Sequence, residues 1–253
     1  MKATLLGGAA LTLSAVSAFA ADLAVPPPAV PPPWSWTSCY GGGQVGGGWG
    51  QKNLNDSAGL LSPITGFSSA NLGISGYMLG GQFGCDYQFA PSWVAGIEGA
   101  AAGGNIGGNI GVAQSLAIPG DSANFKETTD LLTSVTGRVG YSWDRWLLYA
   151  KGGAAWASDR YSATGTFGGV PYDLEGSENR IGWTAGIGVE WAVWNDWSLR
   201  LEYDYYGFGR RSVTLIDATT GNIGPVDINQ TIQTVKLGLN FHVITGPGAP
   251  LRW

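Results

Sequence analysis

The sequence predicts an all-β fold, an eight-stranded antiparallel transmembrane up-and-down β-barrel, and three observations predict it. From Cys39 onward the chain falls into eight segments of about ten residues or more in which polar and apolar residues alternate, the length a tilted strand needs to cross a bilayer. The connections alternate between tight turns, "APS", "WDR" and "WND", and long stretches rich in Gly, Ser, Thr and Asn. Trp residues gather at the segment ends, where a side chain with an apolar body and a polar tip suits a bilayer interface.

The elements follow in order. Met1 and Lys2 precede the apolar run "ATLLGGAALTLSAVSAFA", and Ala18-Phe19-Ala20 fits the small-x-small cleavage rule, so residues 1–20 read as a signal peptide and the chain as exported. Residues 21–36, containing "DLAVPPPAVPPPW", are a Pro-rich periplasmic segment, extended and semi-rigid. The barrel is assigned to residues 37–243, with strands near 37–50, 74–89, 92–105, 129–143, 145–158, 180–193, 197–210 and 230–243, and residues 244–253 form a short tail. The stretches after Gly50, Asn105, Ala157 and Arg211 are read as long loops.

Period two sorts the faces. The second segment sets Tyr77, Leu79, Phe83, Tyr87 and Phe89 on one side, and the fourth Leu131, Val135, Val139, Tyr141 and Trp143. The sixth sets Ile181, Trp183, Ile187, Val189 and Trp191 there, the seventh Trp197, Leu199, Leu201, Tyr203 and Tyr205, and the eighth Val235, Leu237, Leu239 and Phe241. These face lipid. Trp93, Trp143, Trp146, Trp191, Trp194 and Trp197 flank the short turns, which face the periplasm, while Trp49, Trp156 and Trp183 lie toward the long loops. A secreted soluble sandwich would bury the aromatic face, yet it gives no reason for asymmetric connections or for charges aligned on the other face.

That other face carries Gln44, Asp86, Glu98, Arg138, Lys151, Glu190, Arg200, Glu202, Asp204, Lys236 and His242. Centring each hairpin on its connection places Asp86 beside Glu98, Glu98 opposite Arg138, Arg138 beside Lys151, Lys151 across from Glu190, and Glu190 diagonal to Arg200 and Glu202. Charges in an interior just wide enough for side chains must be paired, so this belt is expected to close the barrel as an ion-pair network. The alternative is a porin passing small solutes or ions, since Gly42, Gly46 and Gly48 leave the first strand's side of the lumen nearly empty.

Composition removes other classes. A net charge of −5 without a Lys/Arg cluster excludes nucleic acid as a partner. Abundant Gly and aromatics, with charged residues at about half of ordinary usage, argue against disorder and against a typical soluble enzyme. The sole His242 has no nucleophile beside it in a known motif, no Cys/His metal spacing occurs, and no cofactor is expected. An outer-membrane enzyme acting on lipid or peptide is the third reading. Cys39 and Cys85 share outward parity near one end, so they are either a disulfide in an oxidising compartment or two free thiols. Arg210 and Arg211, at the outer end of the seventh strand, face lipopolysaccharide phosphates or plain solvent.

Beyond these residues, the leader ending "FAAD" and the segments "WTSCYGGGQVGGGWG", "GGQFGCDYQFAPSWVAGIEG", "TGRVGYSWDRWLLYAKGGAAW", "GWTAGIGVEWAVWNDWSLRLEYDYYGFG" and "QTVKLGLNFHV" together resemble the RopB-type small outer-membrane barrels. These are the immunogenic "porin family" proteins of alphaproteobacteria, distantly similar to the OmpA membrane domain. The resemblance covers nearly the whole mature chain. It implies the bacterial outer membrane, insertion by the barrel-assembly machinery, contact with outer-membrane lipid and lipopolysaccharide, envelope-integrity roles and exposed antigenic loops. A monomer is expected because the outward face is continuously apolar. The chain departs from such proteins in "VITGPGAPLRW", which follows the last strand and leaves Phe241 and Trp253 as alternative terminal aromatics.

Overall fold

The computed structural model describes residues 34–55, 69–113, 122–167, 170–194, 196–217 and 221–243. The signal peptide, most of the Pro-rich segment and the tail lie outside the described residues. Eight strands, β1 (Ser38–Asn55), β2 (Ser69–Gln88), β3 (Trp93–Ala113), β4 (Ser122–Trp143), β5 (Trp146–Phe167), β6 (Val170–Ala192), β7 (Trp197–Asp217) and β8 (Gly221–Val243), each pair antiparallel with the next. Pairing of β1 with β8, from Cys39↔Val243 to Asn55↔Asp227, closes the barrel. Closure leaves neither the first nor the last strand as a free edge, which is what a strand structure in hydrocarbon requires.

The alternating faces fall as the pattern predicts. Tyr77, Leu79, Phe83, Val135, Val139, Ile187, Leu201, Leu237 and Phe241 point outward and are exposed, while their alternates are buried in the lumen. Trp146 and Trp156, ten residues apart on β5, span about 33 Å of strand, which a tilt of roughly 40° reduces to ~25 Å, the height of an outer-membrane apolar band. Neighbouring aromatics reinforce the short-turn girdle: Trp146 stacks on Trp191 with centroids 5.4 Å apart, and Trp197 meets Phe241 edge-on at 5.1 Å. The two-residue turn between Trp143 and Trp146 places Asp144 at φ 54°, a left-handed conformation that Asp tolerates better than most residues.

The strands run further than the alternation indicates. They continue to Asn55, Ala113, Phe167 and Asp217, and their partners begin at Ser69, Ser122, Val170 and Gly221, so much of what reads as long loop is strand. Beyond the outer girdle the outward positions become polar or glycine, as at Gln51, Asn53, Asn71, Lys126 and Arg160, so no apolar face marks the pleat although the backbone ladder continues. Register also changes there. Bulges shift the pairing between Gly103 and Ile106 on β3, between Thr129 and Leu131 on β4, and between Gly207 and Gly209 on β7. Gly209 has φ 67°, which only glycine adopts freely.

Two ladders end early. Among the described residues, β2 and β3 pair no higher than Ser75↔Gly107, and β6 and β7 no higher than Trp183↔Gly207, while the other six ladders continue toward the long-loop end. Apolar side chains seal these seams from inside: Leu72 and Ile74 lie against Gly108, and Phe208 against Gly182.

Candidate functional site in the barrel lumen

Four layers fill the lumen. At the short-turn end Trp34 and Trp36 sit edge-on at 5.7 Å, both against His242, and pack with Val94, Leu147, Tyr149 and Ala192. The Trp36 amide donates to Gln88 Oε1 (3.0 Å), and the Gln88 amide donates to Thr37 Oγ1 (3.0 Å), so the segment before β1 is stitched to β2 as a cork in the mouth. One step along the wall, Cys39 faces Cys85 in register with Cα atoms 3.9 Å apart, and a disulfide joins them. Mass spectrometry without reductant is expected to find no titratable thiol. The Cys39→Ser/Cys85→Ser double variant should lose about 2–4 kcal/mol of stability, read from its urea unfolding midpoint.

Above the cork lies the first charged layer. Arg138 holds Asp86 in a two-point fork, with Nε donating to Oδ1 at 2.7 Å, and donates through Nη1 to Glu190 Oε2 at 3.2 Å. Its guanidinium sits between the rings of Tyr40 and Tyr149, 4.6 and 4.9 Å from their centroids. Glu98 accepts from Tyr40 Oη (2.7 Å), Lys151 Nζ (3.3 Å) and Arg200 Nη1. Glu202 accepts from Lys151 (2.7 Å) and Tyr149 Oη (2.8 Å) and lies 2.7 Å from Lys236, which also pairs with Asp204. Four cations thus meet five carboxylates, Asp86, Glu98, Glu190, Glu202 and Asp204. Glu190 gathers neutral donors as well, accepting from Ser198 Oγ and from Asn240 Nδ2 at 2.8 Å, with His242 at 3.5 Å. All these charged side chains are 6 % exposed or less.

The third layer is apolar: Leu72, Ile74, Met78, Ala102, Ile106, Leu132, Tyr206, Phe208 and Ile232 close the middle of the lumen. The fourth is a second charged cluster. Lys52 pairs with Glu127 and with Asp159 (3.1 Å), Arg180 pairs with Asp159 (3.1 Å) and Glu178 (3.0 Å), and Thr129 Oγ1 donates to Asp159 at 2.6 Å. Lys52, Glu127 and Asp159 are absent from the expected belt. Asp159 keeps the inward parity of Lys151 and was legible on that ground; Glu127 was not, because the bulge after Thr129 reverses parity on β4.

Register corrects several expected neighbours. Asp86 lies opposite Gly96 and Glu98 opposite Gly84, a two-residue offset, and Glu98 faces Thr136 rather than Arg138. Lys151 does face Arg138 but lies across from Gly186 and not Glu190, which stands directly opposite Arg200. Long side chains pair across an intervening strand, and inward glycines give them room. Asp86 reaches Arg138 over Gly96, and the Tyr149 ring lies over Gly188. The Arg200 stem lies over Gly238, its Nε 2.8 Å from where a Cβ would stand. The same device fills the side expected to be empty: Gln82 and Asn240 occupy the space over Gly42, Lys236 that over Gly46 and Ile106 that over Gly48. Arg210 is exposed beyond the β7 bulge; the Arg211 side chain lies outside the described residues. Among the described residues no group of three or more His, Cys, Asp or Glu is placed to hold a metal ion.

A family model described as outer membrane protein beta-barrel domain matches residues 8–241. The chain is 26% identical over 250 residues to the 31 kDa outer-membrane immunogenic protein of Brucella melitensis, covering 95% of this chain and 99% of that protein. It is 27% identical over 247 residues to the 25 kDa outer-membrane immunogenic protein of Brucella abortus, covering 95% and 98%. Among solved structures, the outer membrane protease OmpT from Escherichia coli aligns with a TM-score of 0.50 at 8% identity, over 81% of this chain and 97% of that one, a likeness of fold alone.

Proposed function

Since the chain belongs to the outer membrane protein β-barrel domain family and resides in the bacterial outer membrane, we propose that it is a structural, surface-exposed barrel that contributes to envelope integrity. Its lumen is closed by the ion-pair network and its long-loop end faces the outside. One observation carries this reading: charged, apolar and aromatic layers follow one another across the lumen, and Trp36, Tyr40, Arg180, Arg200 and Ile232 leave a water-sized probe less than 2% of their surface. A water-filled pore would instead wet its charged residues, because an ion crosses only where water or fixed charge replaces its hydration shell. Buried carboxylates and guanidinium groups held in mutual contact serve the wall rather than a substrate, which favours a non-enzymatic protein.

The partners follow from the setting: outer-membrane lipid and lipopolysaccharide around the apolar band, the barrel-assembly machinery during insertion, no nucleic acid, and a monomer, because the exposed band is apolar on every strand. Arg210 and Arg211 are candidate contacts to lipopolysaccharide phosphates. The test is genetic. A strain lacking the gene is expected to become sensitive to detergents and bulky antibiotics that intact envelopes exclude, with small-solute uptake unchanged. Impaired uptake of small solutes with an otherwise tight envelope would overturn the structural reading in favour of a porin.

A further inference from the structure

The outward face from β2 to β5 carries two grooves that closure of the lumen does not explain. The lower one, about 590 Å³, is floored by Gly81, Gly99, Ala101 and Thr133 and walled by Phe83 and Trp156. It lies within the apolar band. The upper one, about 660 Å³, has polar side chains along part of its lining, Asn109, Asn124, Lys126, Glu127, Asp130 and Arg160 among them. Arg160 follows Trp156 by four residues on the same face of β5, about 13 Å along the strand. The upper groove therefore stands just beyond the outer aromatic girdle, at headgroup depth.

Local backbone irregularity shapes this upper groove. The β3 bulge between Gly103 and Ile106 lies beside the β4 bulge between Thr129 and Leu131, and Asp130, at the β4 bulge, pairs with Arg160 at 3.2 Å. In register Lys126 faces Ser162 and Arg160 faces Thr128. Lys126 and Arg160 are thus diagonal neighbours, roughly 7 Å apart at Cβ, close enough to grip one phosphate. Glu127 also lines the groove but is buried and paired from the lumen side by Lys52, so the exposed groups are two cations, Lys126 and Arg160, against the one carboxylate of Asp130, and the amides and hydroxyls beside them suit sugar hydroxyls.

From this arrangement we infer that the face is a binding site for one molecule of lipopolysaccharide. A lipid A phosphate lies between Lys126 and Arg160, sugar hydroxyls meet Asn109, Asn124 and Thr128, and an acyl chain lies in the groove over Gly99 and Ala101. The inference rests on the proposed orientation, with the long-loop end outside, and moves the main lipopolysaccharide contact from Arg210 and Arg211 to β3–β5. Charge complementarity selects this occupant: a phosphorylated, sugar-bearing headgroup over several acyl chains matches both grooves at once, whereas a phospholipid leaves the amide-lined part without a partner.

The test uses the full mature chain, refolded in detergent micelles and titrated with deep-rough lipopolysaccharide. The K126E/R160E double variant is expected to bind about tenfold or more weakly, as two lost charge-assisted contacts imply. Its heat-modifiable migration should be unchanged, since both side chains are exposed. Wild-type protein should show the same weakening toward dephosphorylated lipid A. Gly99→Leu, whose Cβ meets nothing nearer than Phe83 O at 4.0 Å, should also weaken binding by filling the lower groove. Unchanged binding by K126E/R160E overturns the site, as does phosphatidylglycerol competing as well as lipopolysaccharide. Loss of binding in R210E with K126E/R160E unaffected overturns the site but leaves the partnership standing. A folded wild type that does not bind lipopolysaccharide overturns both.

Discussion

Replacing Arg138 by Met should lower the stability of the folded barrel by about 3–5 kcal/mol, the cost of breaking a buried ion pair by removing one partner. The guanidinium is the hub of the lower charged layer. It forks onto Asp86, reaches Glu190, and lies between the Tyr40 and Tyr149 rings. Without it two buried carboxylates lose their counter-charge inside a wall that admits no water to replace it. Two further variants separate charge from shape. Arg138→Lys keeps the charge but not the fork and should fall between the parent and Arg138→Met. Asp86→Asn in the Arg138→Met background should recover part of the loss, because a neutral amide costs less to bury than an unpaired carboxylate. The urea midpoint of folded, heat-modifiable protein reads all three; an Arg138→Met midpoint equal to that of the parent would show the pairs carry no stability.

The second large effect concerns glycine. Gly96→Val is expected to prevent assembly of the heat-modifiable form, because a Cβ there would occupy the place of the Asp86 carboxylate and stand 2.7 Å from the Cys85 carbonyl oxygen. Gly137→Val is the matched control on the next strand. It faces outward with nothing within 4 Å of its Cβ position, and should fold like the parent. Both substitutions replace glycine with the same β-branched residue, so strand propensity cancels and only the space over the inner face differs. Equal folding of the two would mean that the charged side chains do not need the glycines beneath them.

Legibility in the sequence followed physical contrast. The eight strands, the two faces and the Trp girdles could be read because the bilayer demands apolar residues on one side of the pleat and tight turns at one end. Lys151 beside Arg138 could be read too, since the Trp143–Trp146 turn is short enough to fix that register. The upper halves of the strands could not, because the outward positions above the girdle become polar or glycine and leave no apolar face to mark the pleat. Glu127 was hidden by the bulge that flips parity after Thr129. The pairing of Asp86 with Arg138 was missed for a different reason: the two sit on non-adjacent strands, and only the bare Gly96 between them lets the side chains meet. Trp36 was read as the end of a spacer, yet it is fully buried in the mouth of the barrel, a position no local pattern announces.

The central claim, that stacked layers of side chains close this barrel, is tested most directly by single-channel recording of the refolded mature chain in a planar bilayer, with folding checked by heat-modifiable migration. The account predicts an electrically silent folded protein, and Glu98→Ala, which removes the acceptor shared by Tyr40, Lys151 and Arg200, should lower the urea midpoint while the remaining layers keep the lumen closed. Steady, reproducible openings from the folded parent would contradict it and make Glu98, Arg138, Lys151 and Glu190 the lining of a conducting pore.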